Sequence, residues 1–346
     1  GEIAATVHAR GGHAVNHSIE VAAPVDGPTA ELPIDPYVLG TWLGDGTTKG
    51  GTITLNREDA PHFESAITAA GHTHHRVPSG DRPGSVFVRL DNFEPLLRAS
   101  GFLGHKHIPT RYLRASAAQR WALLAGLMDT DGHIVVSDGE GRGTGAATCE
   151  ITLMCKELVT DALELILSLG IKATVAESDA RLNGRVVGLR WRITFQSDHC
   201  PFTLPRHVAR WQPLRTRRAR LRYITSCEPC DPSPMRCIAV DSPDHMYLAG
   251  RSFLPTHNSI IARMLAVAAA AGVQPFTDEH FTPQRVLFID CENSERQGRK
   301  HFRNLERVAR LRSSPVPRDG MFIIHRPVGI ALARAEDAAW LLERVT

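Results

Sequence analysis

The chain has 346 residues, enough for two to three domains at roughly 100 to 200 residues each. Its 40 Lys and Arg residues against 37 Asp and Glu leave a net charge of +3, too small by itself to name a nucleic-acid partner. No apolar run approaches the roughly 20 residues that cross a bilayer, no signal-peptide pattern opens the chain, and the seven scattered cysteines make no disulfide scaffold, so the expectation is a cytoplasmic, intracellular protein.

In chain order, "GEIAATVHARGGHAVNHSIEVAAP" reads as short strands, and its lack of a start methionine suggests a piece of something longer. "IDPYVLGTWLGDG" (34–46) predicts a helix: Asp35 is a good N-cap and Pro36 stands at the first helical position, where its missing N–H costs nothing. "SAAQRWALLAGLMDTDG" (116–132) predicts a second, with Ser116 and Gln119 at capping-box spacing. Each helix ends in Asp-Gly, at Asp45-Gly46 and Asp131-Gly132, and each carries a glycine five residues before its aspartate, Gly40 and Gly126. A glycine inside a helix costs about 1 kcal/mol against alanine, so its return at one offset predicts two helices with closely approaching backbones. A carboxylate at a helix C-terminus faces the negative end of the dipole. Two such violations at matched positions point to a functional site, and two carboxylates side by side suit divalent cations.

After the second helix, "CEITLMCKELVTDALELILSLGIKATV" and "GLRWRITFQS" read as strand, helix and further strands. Arg206, Arg210, Arg215, Arg217, Arg218, Arg220 and Arg222 then fall within residues 206–222, which contain no Asp or Glu; the stretch is either a solvated basic linker or a track for a phosphate backbone. "CEPC" at Cys227 and Cys230, with His199 and Cys200 upstream, leaves a zinc site open, but one CxxC with a poorly spaced second pair is a weak signal. "PTHNSIIARMLAVAAAAG" (255–272) runs from a loop into an apolar helix. "RVLFIDCEN" (285–293) reads as a buried strand ending in acids, and the chain stops at "AAWLLERVT", inside a helical pattern.

"VLGTWLGDG" (38–46) and "LLAGLMDTDG" (123–132) resemble the two motifs of the LAGLIDADG, DOD-type homing endonucleases, and "KHIPTRYLRASAAQR" (106–120) is similar to that family's block between them, with Lys106 at its basic position. The first motif departs from the consensus at Thr41 and Leu43. The aspartates lie 131 − 45 = 86 residues apart, a length that suits one αββαββ half. The resemblance implies an α+β fold with a duplicated αββαββ endonuclease domain and cleavage of double-stranded DNA. Asp45 and Asp131 would hold Mg²⁺, Lys106 would assist, and strand faces would read the major groove.

Such endonucleases are carried within inteins, and "MRCIAVDSPDHMYLAGRSFLPTHNS" (235–259) resembles an intein's C-terminal splicing block. Asn258 would attack its own peptide carbonyl to form a succinimide, His257 would polarise that carbonyl, and His245 would move protons around it. Ser259 would accept the upstream polypeptide as an ester, and Cys237 matches a further position of the block. Residues beyond 259 would then belong to a host resembling a RecA-like ATPase. There Ser259 would be the Mg²⁺-binding hydroxyl of a phosphate loop whose Gly-Lys half is replaced here by "PTHN", and Glu292 would orient the attacking water. ATP and its Mg²⁺ would bind only the spliced host. The resemblance divides the chain into a remnant of the N-terminal Hint splicing half (1–32), the endonuclease (33–205), a basic linker (206–222), the C-terminal Hint half of an all-β splicing domain (223–258) and a partial α/β RecA-like segment (259–346). The N-terminal nucleophile, the rest of the N-terminal half and the N-extein are expected to be missing. A freestanding homing endonuclease without splicing would leave the Asn258 block idle. A DNA-dependent ATPase with an inserted DNA-binding domain would require an intact phosphate loop.

Overall fold

In the computed structural model, β1 (Ser18–Glu20) precedes α1 (Pro36–Asp45), whose start the Asp35 carboxylate caps by accepting the N–H groups of Tyr37 at 2.9 Å and Val38 at 3.1 Å. Then come β2 (Thr52–Asn56), α2 (Ala60–Ala69), β3 (His74–Val77), β4 (Ser85–Leu90), α3 (Phe93–Ala99) and the short α4 (Thr110–Leu113). α5 (Ala117–Asp131) opens on the expected capping box between Ser116 and Gln119. It passes directly into β5 (Gly132–Val135), followed by β6 (Thr148–Leu153), α6 (Lys156–Ser168), β7 (Ala173–Leu182), β8 (Arg185–Phe195), the short α7 (Pro205–Val208) and β9 (Leu221–Tyr223). The structure describes residues 6–8, 15–78, 84–135, 147–214, 217–228, 240, 246–256, 259–274, 279–290, 295–311, 313–325 and 339. The chain divides into two units, Gly1–Cys230 with Leu248–Pro255, and Asp231–Tyr247 with Thr256–Thr346.

The first unit is built on the pairing of α1 and α5. A Cβ on Gly40 would overlap the Leu123 carbonyl oxygen, and one on Gly126 would overlap that of Tyr37, so only glycine lets the two backbones come this close. Around them lies one apolar core in which Val38, Leu39, Trp42, Leu123, Leu124, Leu127 and Met128 meet the inner faces of two antiparallel sheets. One sheet has the order β2-β4-β3, the other β5-β6-β8-β7. The two halves differ in one strand from a strict αββαββ duplication. Gly132 begins β5 and pairs with Ile151, whereas the equivalent Gly46 makes only an isolated bridge to Ile53. The Thr47 and Gly50 backbone bonds (Thr47 N–H to Thr52 O at 2.8 Å, Gly50 N–H to Thr47 O at 3.2 Å) turn the chain back before a strand can extend.

The segment ahead of α1 is tied to this unit. β1 pairs antiparallel with β9 through Ser18↔Tyr223, Ile19↔Arg222 and Glu20↔Leu221, joining chain on either side of the two-sheet core. Farther on, the Arg120 side chain, 1% exposed, donates to the Ala115 carbonyl at 3.0 Å, to the Ser168 carbonyl at 2.8 Å and to the Val25 carbonyl. A buried guanidinium needs its donors matched, and three carbonyls from separate segments match them here. Gln119 pairs with the Ala30 backbone, accepting its N–H at 2.9 Å and donating to its carbonyl at 2.7 Å.

β10 (Tyr247–Ala249) and β11 (Leu254–Thr256) pair with each other. The second unit contains α8 (Ser259–Ala271), β12 (Val286–Asp290), α9 (Glu295–Leu311) and β13 (Met321–His325). The expected apolar helix and the expected strand are both present, but the strand is half-buried rather than buried. β12 and β13 run parallel in register Val286↔Met321 to Asp290↔His325, and Val267, Ala271, Val273, Phe302 and Ala309 form a small core of their own. Among the described residues no helix is long and apolar enough to cross a membrane.

Candidate active site at the paired helix termini

Because Gly40 and Gly126 bring α1 and α5 together along their lengths, the two helices end side by side. A Cβ on Gly44 would overlap the Thr130 hydroxyl and stand 3.2 Å from Asp131 Oδ2, which sets the Asp131 carboxylate one residue away from Asp45 across the seam. Both aspartates are half-buried. Each helix stops the same way. The Gly46 and Gly132 N–H groups close the last turns onto the Trp42 and Met128 carbonyls while their own backbones turn extended (ψ 148° and 157°), so each strand direction leaves directly from its carboxylate.

Lys106 enters this pair from the segment between α3 and α4. That segment is pinned on both sides: the Gly104 N–H bonds the Thr48 carbonyl at 2.9 Å, and the Ile108 N–H bonds Asp161 Oδ2 at 2.8 Å. The ammonium donates to the Gly44 carbonyl at 2.8 Å and lies 5.4 Å from the centre of the Trp42 ring. Burial lowers the Lys106 pKa, opposed by the charges of Asp131 and Asp45. Burial, and then the neighbouring Asp45 charge, push Asp131 up to about 6. Burial raises Asp45 as well, against the pull of Lys106. Among the described residues neither carboxylate accepts a hydrogen bond or an ion pair, so the charge of the pair is answered only at longer range by Lys106. Two unsatisfied carboxylates of this kind fit a divalent cation, which binds through one or two carboxylates with phosphate oxygens and water completing its shell. No group of three or more His, Cys, Asp or Glu gathers among the described residues.

A third carboxylate of the second motif, not singled out in the sequence, braces the site. Asp129 is 2% exposed. It accepts the Thr203 N–H at 3.0 Å, the Leu204 N–H at 3.2 Å, the Thr203 hydroxyl at 2.5 Å and the Tyr37 hydroxyl at 2.9 Å. Burial and this carboxylate drive the Tyr37 pKa far upward, so Tyr37 remains a donor. The start of α1, the end of α5 and the chain leaving β8 are thereby joined at one point.

Three arginines of the basic stretch are engaged within the unit. Arg206 pairs with Asp59 at 2.9 Å, Arg210 donates to the Ile134 carbonyl at 3.2 Å, Arg220 pairs with Asp198, and Arg218 is exposed. Arg217 and Ser259 open a 3-10 turn and α8 respectively, with their side chains outside the description. Arg215, Cys230, Cys237, His245, His257, Asn258 and Glu292 lie outside the described residues. Of the remaining zinc candidates, His199 lies tilted against Trp121 with ring centres 4.5 Å apart, and Cys200 contacts the Phe202 carbonyl oxygen at 3.5 Å.

Residues 118–198 match the LAGLIDADG-like domain. Over 251 residues, 71% of the chain, the sequence is 34% identical to a replicative DNA helicase DnaB of Mycobacterium intracellulare, covering 39% of that protein. It is 28% identical over 201 residues, half of the chain, to the homothallic switching endonuclease of Saccharomyces cerevisiae, covering 32% of it. The chain thus spans well under half the length of these relatives. Among solved structures, the homing endonuclease I-DmoI in complex with DNA and Ca aligns with 51% of this chain and 96% of its own, at 16% identity and a TM-score of 0.35. A double mutant of I-SmaMI aligns with 46% of this chain and 79% of its own, at 13% identity and a TM-score of 0.27. Residues 118–198 therefore form a LAGLIDADG-like domain, in a chain whose sequence is related to that of a replicative DNA helicase.

Proposed function

We propose that this chain is a piece of an intein-containing helicase precursor in which the LAGLIDADG domain cleaves double-stranded DNA at a specific site and the flanking segments belong to a protein-splicing domain. The observation that carries the nuclease reading is the carboxylate pair of Asp45 and Asp131 at the joined ends of α1 and α5, with Lys106 pinned beside it. Mg²⁺ is the expected cation, held by Asp45 and Asp131. When bound, it lowers the pKa of a ligated water and neutralises charge on the phosphate. The chain's own residues do the rest. The α1–α5 seam fixes the separation of the two carboxylates. Lys106 presents an ammonium where negative charge builds on the phosphate oxygens as the P–O bond breaks. The basic residues from Arg206 to Arg220, where not paired internally, add to phosphate binding.

The antiparallel pairing of β1 with β9 supports the insertion reading: a strand from before the endonuclease domain closes on a strand from after it, as expected when one domain interrupts another. In this reading residues 1–32 and 223–258 belong to the two Hint halves. Asn258 cyclises with the help of His257 and His245, Ser259 is the acceptor, and residues 259–346 are host sequence of RecA-like type. Ser259 and Glu292 would serve ATP and Mg²⁺ only once splicing has restored the phosphate loop. The similarity to DnaB over 71% of the chain supports a helicase host.

The nuclease reading is tested by incubating the purified chain with a pooled duplex library that includes the uninterrupted host gene, with Mg²⁺, beside Asp131→Asn. Cleavage at one site by the wild type and none by the variant is expected. Equal cutting by both removes Asp131 from the chemistry.

A further inference from the structure

We infer that Arg190 and Arg192 of β8 form a guanine-reading pair on the open face of the second sheet, Arg192 positioned by Glu150 and Arg190 by Ser178; the inference rests on the DNA-cleaving reading above. Burial alternates along β6 and at the end of β8. Ile193 and Phe195 of β8 and Cys149, Ile151 and Leu153 of β6 are buried, so Arg190, Arg192, Glu150 and Thr152 stand on the opposite, polar face. There both arginines are braced at the same atom. Arg190 Nε donates to Ser178 Oγ at 3.2 Å from the β7 side, and Arg192 Nε lies 3.7 Å from Glu150 Oε2 on the β6 side. Among the described residues neither guanidinium makes another hydrogen bond or ion pair. An arginine held at Nε keeps its two terminal nitrogens for one planar, two-pronged contact, the geometry that matches guanine O6 and N7 in the major groove.

Glu150 strengthens the case. A carboxylate on a face that meets DNA repels phosphate, and it is tolerated where it orients donors. Glu150, its side chain only 15% exposed, takes Arg192 on one side and His133 Nε2 at 3.1 Å on the other. Two positions along a strand span about 6.7 Å, close to two base-pair steps of about 3.4 Å each, so the pair suits guanines separated by one base. The row Gly132↔Ile151↔Ile193 crosses two strand spacings, so Arg192 lies about 10 Å from the strand that starts beside Asp131. That is close enough for the guanines to flank the cut.

The test selects binding sites for the full chain from a randomised duplex library, in parallel for wild type, Arg192→Ala, Arg192→Lys, Arg190→Ala and Glu150→Ala, with a melting curve and a salt titration for each. The wild type is expected to enrich two guanines one base apart. Arg192→Ala and Arg192→Lys are expected to lose the preference at one of them, with affinity for the wild-type site down about 5- to 150-fold, while the melting curve is kept. Arg190→Ala is expected to lose the other, and Glu150→Ala to blur the same position as Arg192→Ala, which a merely structural role would not do. An unchanged preference in Arg192→Ala, with salt-sensitive binding retained, overturns this inference alone. A wild type that binds no duplex overturns it together with the DNA-cleaving reading.

Discussion

Asp131 ends α5, where burial first and then the Asp45 carboxylate oppose its charge, at the negative end of the helix dipole. Its pKa of about 6 in the folded chain lies above the unfolded value of 3.8, so the protonated form is the one the fold favours. The stability this contributes is complete below about pH 4 and is lost as pH rises through about 6. A divalent cation, which binds the ionised pair, restores stability at the high end. Melting temperatures of wild type and Asp131→Asn from pH 3.5 to 7.5 are therefore expected to converge at about pH 4 and below and to separate in the variant's favour between about pH 4 and about pH 6, with the gap constant above that. Added Mg²⁺ should then raise only the wild type. A wild type that gains on the variant as pH rises without metal would sink this account. The two aspartates were legible in the sequence because matched violations of helix electrostatics stand out against propensity, and Lys106 through the resemblance of residues 106–120 to the family's block between the motifs. Asp129 was not, since its meaning depends on donors from Thr203 and Leu204, 74 and 75 residues further on, and on Tyr37. The first motif has Leu43 at the equivalent place, so no repeat drew attention to it.

At the scale of elements, the seam between α1 and α5 decides where the carboxylates stand. Gly126→Ala puts a methyl group into the Tyr37 carbonyl and near the Thr41 nitrogen, both backbone atoms that no rotamer change can move aside. Replacing the glycine lowers the helix cost of α5 by about 1 kcal/mol, but parting two packed helices costs more, by about 3 kcal/mol or above. The net expectation is a lower denaturation midpoint and loss of Mg²⁺-dependent cleavage together, measured by urea unfolding and the library assay. An unchanged midpoint would show that the seam tolerates a wider spacing. Both helices were readable because caps, glycines and apolar spacing agreed at each. The strands were harder. In the first half the Thr47–Gly50 turn reduces the strand that would follow Gly46 to one bridge. Turn geometry of that kind is set by close backbone bonds that composition does not reveal.

For the whole molecule, the informative contacts are those that join distant parts of the first unit. Arg120 was read only as a residue of the second helix, but its guanidinium holds Val25 and Ser168 together, and β1 closes on β9. Such closures arise from pairing between segments about 200 residues apart, which no local pattern encodes. They hold the chain preceding α1 against the two-sheet unit. Asparagine cyclisation is internal to one residue: the Asn258 amide nitrogen bonds to its own carbonyl carbon, the peptide bond to Ser259 breaks, and the Ser259 amine departs with the proton. It needs a polarised carbonyl, which His257 would supply, but no upstream nucleophile. The purified chain is therefore expected to break slowly between Asn258 and Ser259, giving a C-terminal piece that begins at Ser259, and Asn258→Ala is expected to stay whole. Intact-mass measurement over days, with both proteins in the same buffer, checks this. Equal cleavage of the alanine variant would show a contaminating protease or simple hydrolysis at work, and a wild type that never breaks would leave an endonuclease domain in a helicase-like chain without active splicing at this junction.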